Sequence, residues 1–284
     1  MTSTTPRGKH NHFLRRGGEW LLDRAMCGGL LARWCRRQGL QGRLGVTRYA
    51  IQLAPERRLA RPLVIAFASD FHAGPGTDPA VFADLFDAIA LARPDLLLLG
   101  GDFVSCKAEY MAALREGLAR CRPPLGKFAV LGNHDLWSDH ARIQRALEQA
   151  GVTLLVNAHR VLDAPFASVS VCGMDDPWTG APNAAQTLDG AGPVRILLMH
   201  SPDGLLLDQR RFELAFAGHT HGGQIARADG RPIVVPHGPL CRQYWHGRFK
   251  PAGRGELIVS RGVGCSTLPV RLHADPELVL CTLS

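Results

Sequence analysis

The chain has 284 residues, 46% of them hydrophobic and 20% charged. That is enough apolar material for one large α/β or all-β domain with a modest appendage, and too much for a disordered or collagen-like chain. The net charge of +8 is uneven: residues 1–61 carry 13 Lys/Arg against three acids, whereas residues 62–284 carry 20 against 22. Attraction to phosphate-rich surfaces is therefore expected only at the N-terminal segment.

Residues 1–45 read as a basic amphipathic segment. Phe13, Trp20, Cys27 and Trp34 recur every seven residues among six arginines (15, 16, 24, 33, 36 and 37), the pattern of a helix with an aromatic apolar side. Gly17, Gly18, Gly28 and Gly29 oppose it, each costing about 1 kcal/mol relative to alanine. Two readings stay open: a helix packed on the rest of the chain or on a second copy, and peripheral attachment of residues 13–40 to an anionic membrane. The longest uninterrupted apolar or small stretch here, Ala25–Ala32, has eight residues, whereas a membrane-spanning helix needs about 20. A twin-arginine export signal at Arg15-Arg16 is disfavoured, because Glu19, Asp23 and Arg24 interrupt its apolar region. Residues 46–61 read as a linker.

From residue 62 strands and helices alternate. Strands are predicted at Leu63–Ala68, Asp95–Leu99 and Lys127–Leu131, and helices at Pro79–Ala92, Glu109–Cys121 and Asp139–Ala150. This βαβαβ order implies parallel strands with right-handed crossovers. Further strands are predicted at Val152–Val156, Arg160–Leu162, Ser168–Cys172, Val194–Met199, Glu213–Ala217, Pro232–Val235, Leu257–Ser260 and Leu278–Leu283. A strand-rich second half implies a second sheet stacked on the first. The eight cysteines show no C-x-x-C spacing and no signal peptide precedes them, so a reducing, cytoplasmic compartment is expected.

Polar residues gather immediately after the apolar runs, where ligands bind in open α/β sheets. They are Asp70-x-His72, Gly101-Asp102, Gly132-Asn133-His134-Asp135, Met199-His200 and Gly218-His219-Thr220-His221. Each piece alone is weak, since a single histidine beside a strand is usually structural. Five pieces in order, with seven oxygen or imidazole donors, point to divalent Mn, Fe, Zn or Co. There is no G-x-S-x-G and no Walker-type loop to suggest a protein nucleophile.

In that order these motifs resemble the calcineurin-like metallophosphoesterases, over roughly residues 62–284. The string Gly218-His219-Thr220-His221-Gly222-Gly223-Gln224 is similar to a bacterial and organellar branch of that superfamily. The resemblance implies a four-layer αββα sandwich of two mixed sheets with a dinuclear metal site at the strand ends. It also implies that Asp102 bridges two divalent ions, that Asp70, His72 and His221 complete one site, and that Asn133, His200 and His219 complete the other. His134 would bind the phosphoryl group and protonate the leaving oxygen. Asp135 is expected to orient His134 or His72. Asp176, in Asp175-Asp176-Pro177-Trp178, reads as a pocket residue or as a turn-capping aspartate. Arg261 and Arg271 read as contacts to substrate phosphate or as partners of carboxylates.

The expected reaction is hydrolysis of a phosphoester or pyrophosphate by metal-activated water. The substrate would be a phosphorylated small molecule or a lipid-linked or nucleotide-type compound, met at the inner face of the membrane. A non-catalytic metal-binding scaffold is the alternative from a different class. A nuclease is another, but duplex nucleic acid is disfavoured because residues 62–284 lack the basic surface it needs.

Overall fold

The computed structural model describes Gly18 and residues 24–284. Among the described residues the elements are, in chain order, helix α1 (Leu30–Arg37), strand β1 (Gly45–Ile51), β2 (Leu63–Ala68), α2 (Ala80–Ala92), β3 (Leu96–Leu99) and α3 (Ala112–Arg120). The order continues through β4 (Lys127–Ala129), α4 (Asn133–Trp137), α5 (His140–Gln149), β5 (Thr153–Leu154), β6 (Ala158–Val161), β7 (Val169–Gly173) and α6 (Ala184–Leu188). The last strands are β8 (Val194–Leu198), β9 (Leu214–Ala217), β10 (Gly247–Phe249), β11 (Glu256–Val259) and β12 (Glu277–Leu283).

Two six-stranded mixed sheets result, ordered β1-β12-β2-β3-β4-β5 and β10-β11-β9-β8-β7-β6. The parallel run β2-β3-β4-β5 is the predicted crossover half. Its strands are apolar throughout because both faces are covered. Leu97 and Leu99 face Phe82, Leu85 and Ile89 of α2, Leu114 and Leu118 of α3, and Ile143 and Leu147 of α5. Leu96 and Leu98 face the other sheet, among Ile65, Phe67, Ile196, Leu198 and Phe216. The Phe67 and Phe216 rings meet there at 5.0 Å. The outer face of the second sheet, including Leu197, Ala215 and Leu257, is covered by α6 and the 3₁₀ turn Pro202–Leu206. The four layers are therefore helix, sheet, sheet and a thinner layer of helix and loop.

Two expectations change, and one left open is met in part. Residues 46–61, read as a linker, contain most of β1, which pairs in parallel with β12 from Gly45↔Glu277 to Ile51↔Leu283. The stretch Pro232–Val235 is not a strand; among the described residues it makes an isolated bridge, Ala226↔Pro232, and the Ile233 N–H donates to Ile225 O at 3.0 Å. Its apolar side chains face outwards instead, with Ile233 61% and Val234 71% exposed. The described part of the N-terminal segment is packed on the domain. Ala32 and Cys35 are buried, Arg36 pairs with Asp84, and buried Gln41 donates to Gly76 O (2.9 Å) and Pro269 O (3.1 Å). Phe13 and Trp20 lie outside the described residues.

Glu277 locks β1 and β12 to the loops at the site. Its carboxylate accepts from Thr47 Oγ1, the Arg261 backbone N–H (3.0 Å) and His246 (3.2 Å). Burial would raise this carboxyl, but those partners outweigh burial and hold it at about 2.

Candidate metal centre

All seven predicted donors converge. Asp70 and His72 follow β2, Asp102 follows β3, Asn133 opens α4 after β4, His200 follows β8, and His219 and His221 follow β9. The centre thus lies at the carboxyl ends of strands from both sheets, and only their stacking brings it together. Asp70, His72, Asp102, His219 and His221 all have positive φ, from 43° to 70°. Backbone strain of that kind collects where surrounding structure over-determines a functional geometry. Gly101, at φ +87°, allows the turn to pass Gly132, where any Cβ would clash with backbone. A Cβ at Gly218 would overlap the Asp70 carboxylate.

Two donor groups share Asp102. Its Oδ2 lies 3.4 Å from His72 Nε2 and 3.3 Å from His200 Nε2. On one side His72 Nε2 is 3.0 Å from His221 Nε2, which is 3.5 Å from Asp70 Oδ1. On the other, His200 Nε2 is 3.1 Å from both Asn133 Oδ1 and His219 Nδ1. Ligands about 2.1 Å from one octahedral ion stand about 3 Å apart, which is the spacing found. His200 Nδ1 is 2.8 Å from Gly100 O, so it carries the proton and Nε2 presents a lone pair to these oxygens and nitrogens. A cation at their focus reconciles them. The donor set fits divalent metal ions.

The electrostatics agree. Burial alone would lower His200, but Asp102 and Asp70 hold it well above the usual histidine range. Burial raises Asp70 to about 6, while for Asp102 the neighbouring His200 and His134 overcome burial and keep it well below the ordinary carboxylate range. His72 and His221 are pushed well below theirs, chiefly by burial. The buried Asp102 carboxylate stands beside the neutral imidazoles of His72 and His221, and a dication bound there would take the place of the proton that Asp102 and Asp70 favour on His200.

His134 sits at the edge of the centre. Its Nδ1 is 2.6 Å from Ser105 O, its ring stands edge-on to His72 at 4.6 Å, and Trp137 lies 5.0 Å away. Its backbone N–H donates to Asp102 Oδ1 at 2.8 Å. Asp135 does not orient either histidine. Its carboxylate accepts from Phe103 N, Val104 N and Gly132 N, so it pins the Asp102 loop to the Asn133 loop. Burial and Asp102 push it up to about 8.

The centre forms the floor of a cavity of about 640 Å³, lined by Asp102, Asn133, His134, His219 and His221 together with Trp137, Trp178 and Leu268. Asp176, Arg261 and Arg271 do not line it. Asp176 is buried and caps Trp178 N and Thr179 N; of that motif it is Trp178 that reaches the cavity. Arg261 donates to Glu277 and packs under the Gly222 turn. Arg271 is 2% exposed and donates to Gly264 O, Ala274 O and Arg261 O, with Nη2 3.3 Å from His221 Nδ1. It braces the His221 loop from below and cannot reach a substrate. Sequence reading missed Ser69, whose hydroxyl donates to Asp70 Oδ2 at 2.6 Å.

Residues 63–223 match the family described as calcineurin-like phosphoesterase. Metallophosphoesterase YkuE of Bacillus subtilis is 32% identical over 199 residues, 68% of this chain and 68% of its own. Phosphodiesterase YaeI of Escherichia coli is 31% identical over 236 residues, 79% of this chain and 83% of its own. Among solved structures, the NAD nucleotidase of Haemophilus influenzae aligns with a TM-score of 0.49 at 14% identity, over 72% of this chain and 46% of that one. This chain spans about half the length of that nucleotidase.

Proposed function

Because the chain belongs to the calcineurin-like phosphoesterases, and is thus a metal-dependent phosphoesterase, we propose that it hydrolyses a phosphodiester at a pair of divalent cations. The observation that carries this reading is the meeting of two donor groups on Asp102 Oδ2 at the floor of the cavity. Asp70, His72 and His221 would hold one ion and Asn133, His200 and His219 the other, with Asp102 between them. Bound ions would supply Lewis acidity to the phosphoryl oxygens and a water of lowered pKa, and Mn, Fe, Zn and Co all suit these donors.

The chain's own groups do the rest. The Ser105 carbonyl fixes the His134 ring and holds the proton on Nδ1, so Nε2 is the nitrogen that exchanges a proton with the leaving oxygen. The relative named as a phosphodiesterase supports a diester over a monoester. The purified protein with added Mn²⁺ should hydrolyse bis-p-nitrophenyl phosphate about tenfold or more faster, in kcat/KM, than p-nitrophenyl phosphate. A monoester preference contradicts the diester reading, and hydrolysis of neither contradicts the activity.

One observation favours a substrate met at a membrane surface. The packed helix α1 leaves Leu30 62% and Trp34 54% exposed beside Arg33 and Arg37, in the segment that carries the positive charge. No helix among the described residues is long and apolar enough to cross a membrane; the contact proposed is a peripheral one, on the inner face. Each basic residue near an anionic surface adds about 1 kcal/mol. Full-length protein should therefore co-float with anionic vesicles at low salt and detach at 1 M salt, where the Debye length falls to about 3 Å. Deleting residues 1–23 should weaken binding while sparing the buried Cys35 and Gln41. Failure of the full-length protein to bind at low salt ends this reading.

A further inference from the structure

The motif residues after His221 hold no ligand position, yet they are tied to the far wall of the cavity. Gly223 has φ +81°, and a Cβ there would strike Pro232 and Val234 O. The missing side chain therefore seats the loop 232–236 directly on the metal-ligating turn. Gln224 is 9% exposed and grips a second loop, donating to Ser266 O (3.0 Å) and Leu268 O (2.9 Å) and accepting from Ser266 N (2.7 Å).

What these two loops present is apolar. Ile233 is 61%, Val234 71% and Leu268 50% exposed, and all three line the cavity that holds the donors. Trp178 closes the rim, 42% exposed but fixed in plane. Its indole N–H donates to Asp203 Oδ2 at 3.0 Å, and the other oxygen of that buried carboxylate accepts from Leu240 N at 2.7 Å. The ring centroid of His237 lies 5.3 Å from that of the indole, the two planes inclined at 61° in an edge contact. An exposed tryptophan with its polar edge anchored on a buried carboxylate is a built surface for an apolar group. Isolated exposed apolar side chains need no explanation, but four around one cavity do.

We propose that Trp178, Ile233, Val234 and Leu268 form a subsite for an apolar substituent of the phosphoester, held at a fixed distance from the metal centre by Gly223 and Gln224. Continuity of this wall with the donor floor is what names the occupant: the organic group esterified to the phosphate being cleaved. The cavity of about 640 Å³ is in the range of small-molecule sites, about 300–1,000 Å³. The substituent chemistry is apolar, whether ring or chain. The subsite rests on the phosphodiesterase reading above.

The test uses full-length, Mn²⁺-loaded protein and three p-nitrophenyl phosphodiesters whose second ester group is methyl, phenyl or octyl. Wild type should prefer phenyl or octyl over methyl by about tenfold or more in kcat/KM, mainly through KM, as burial of several carbons allows. A phenyl preference assigns a ring and an octyl preference a chain. Trp178→Ala and, at the most exposed position, Val234→Ser should each lower that preference about threefold or more. Equal rates on all three diesters overturn the subsite, and so does a preference unchanged in both variants. If none of the three is hydrolysed, it is the phosphodiesterase reading that fails, and the subsite falls with it.

Discussion

Asp102→Asn is expected to lower turnover of a soluble diester by about 10³-fold or more and to leave the protein with fewer bound ions. The size of the effect follows from which way the new amide must face. Asp102 Oδ1 accepts the His134 backbone N–H at 2.8 Å, so the amide oxygen takes that place. The NH₂ then falls where Oδ2 stands, between His72 Nε2 and His200 Nε2. An amide nitrogen has no lone pair to offer a cation, and its protons point at the positions of the ions. Elemental analysis of the purified variant reads the loss directly. A variant with wild-type metal content and turnover would remove Asp102 from the centre.

His134→Ala should behave differently. Its ring touches the cavity, but its Nδ1 is committed to Ser105 O, and the two donor groups close without it. Metal content should stay at the wild-type level while turnover falls by about 10²–10⁴-fold, the usual contribution of a positioned acid or base. The loss should be smaller for a p-nitrophenolate leaving group than for an alkoxide, because a good leaving group needs little protonation. Its donor atom also lies within 4.8 Å of those of His72 and Asp102. Loss of metal in this variant would therefore make His134 a ligand.

The contrast between what the sequence disclosed and what it hid has a physical basis. Buried parallel strands are apolar on both faces, so Leu63–Ala68 and the DLLLL run announced themselves, and the polar residues ending them marked the centre. Strand β1 hid because it is an edge strand, alternately exposed and half-buried along GVTRYAI, within a basic stretch. Its partner β12 lies at the other end of the chain, where no local pattern could reveal it. The run Pro232–Val235 misled for the opposite reason. Its composition is that of a strand, but the cavity rim, not a sheet, takes its side chains.

Side-chain direction was the other limit. Arg271 and Asp176 have the charges of substrate contacts, yet both point into the protein and serve its loops. Asp135 sits beside His134 in sequence but bonds to backbone 32 and 31 residues away, at Phe103 and Val104. Chemistry-bearing residue types are visible in a sequence. Which of them face a cavity is decided by packing between segments distant along the chain.

On the function proposed, two cations share Asp102 and both are needed for turnover. The most direct test strips the full-length protein with a chelator, adds Mn²⁺ in measured equivalents, and follows hydrolysis of bis-p-nitrophenyl phosphate at each step. Activity absent without metal, rising until about two equivalents per chain are bound and flat beyond, is the predicted result. Full activity in the stripped protein, or a plateau at one equivalent, would contradict it.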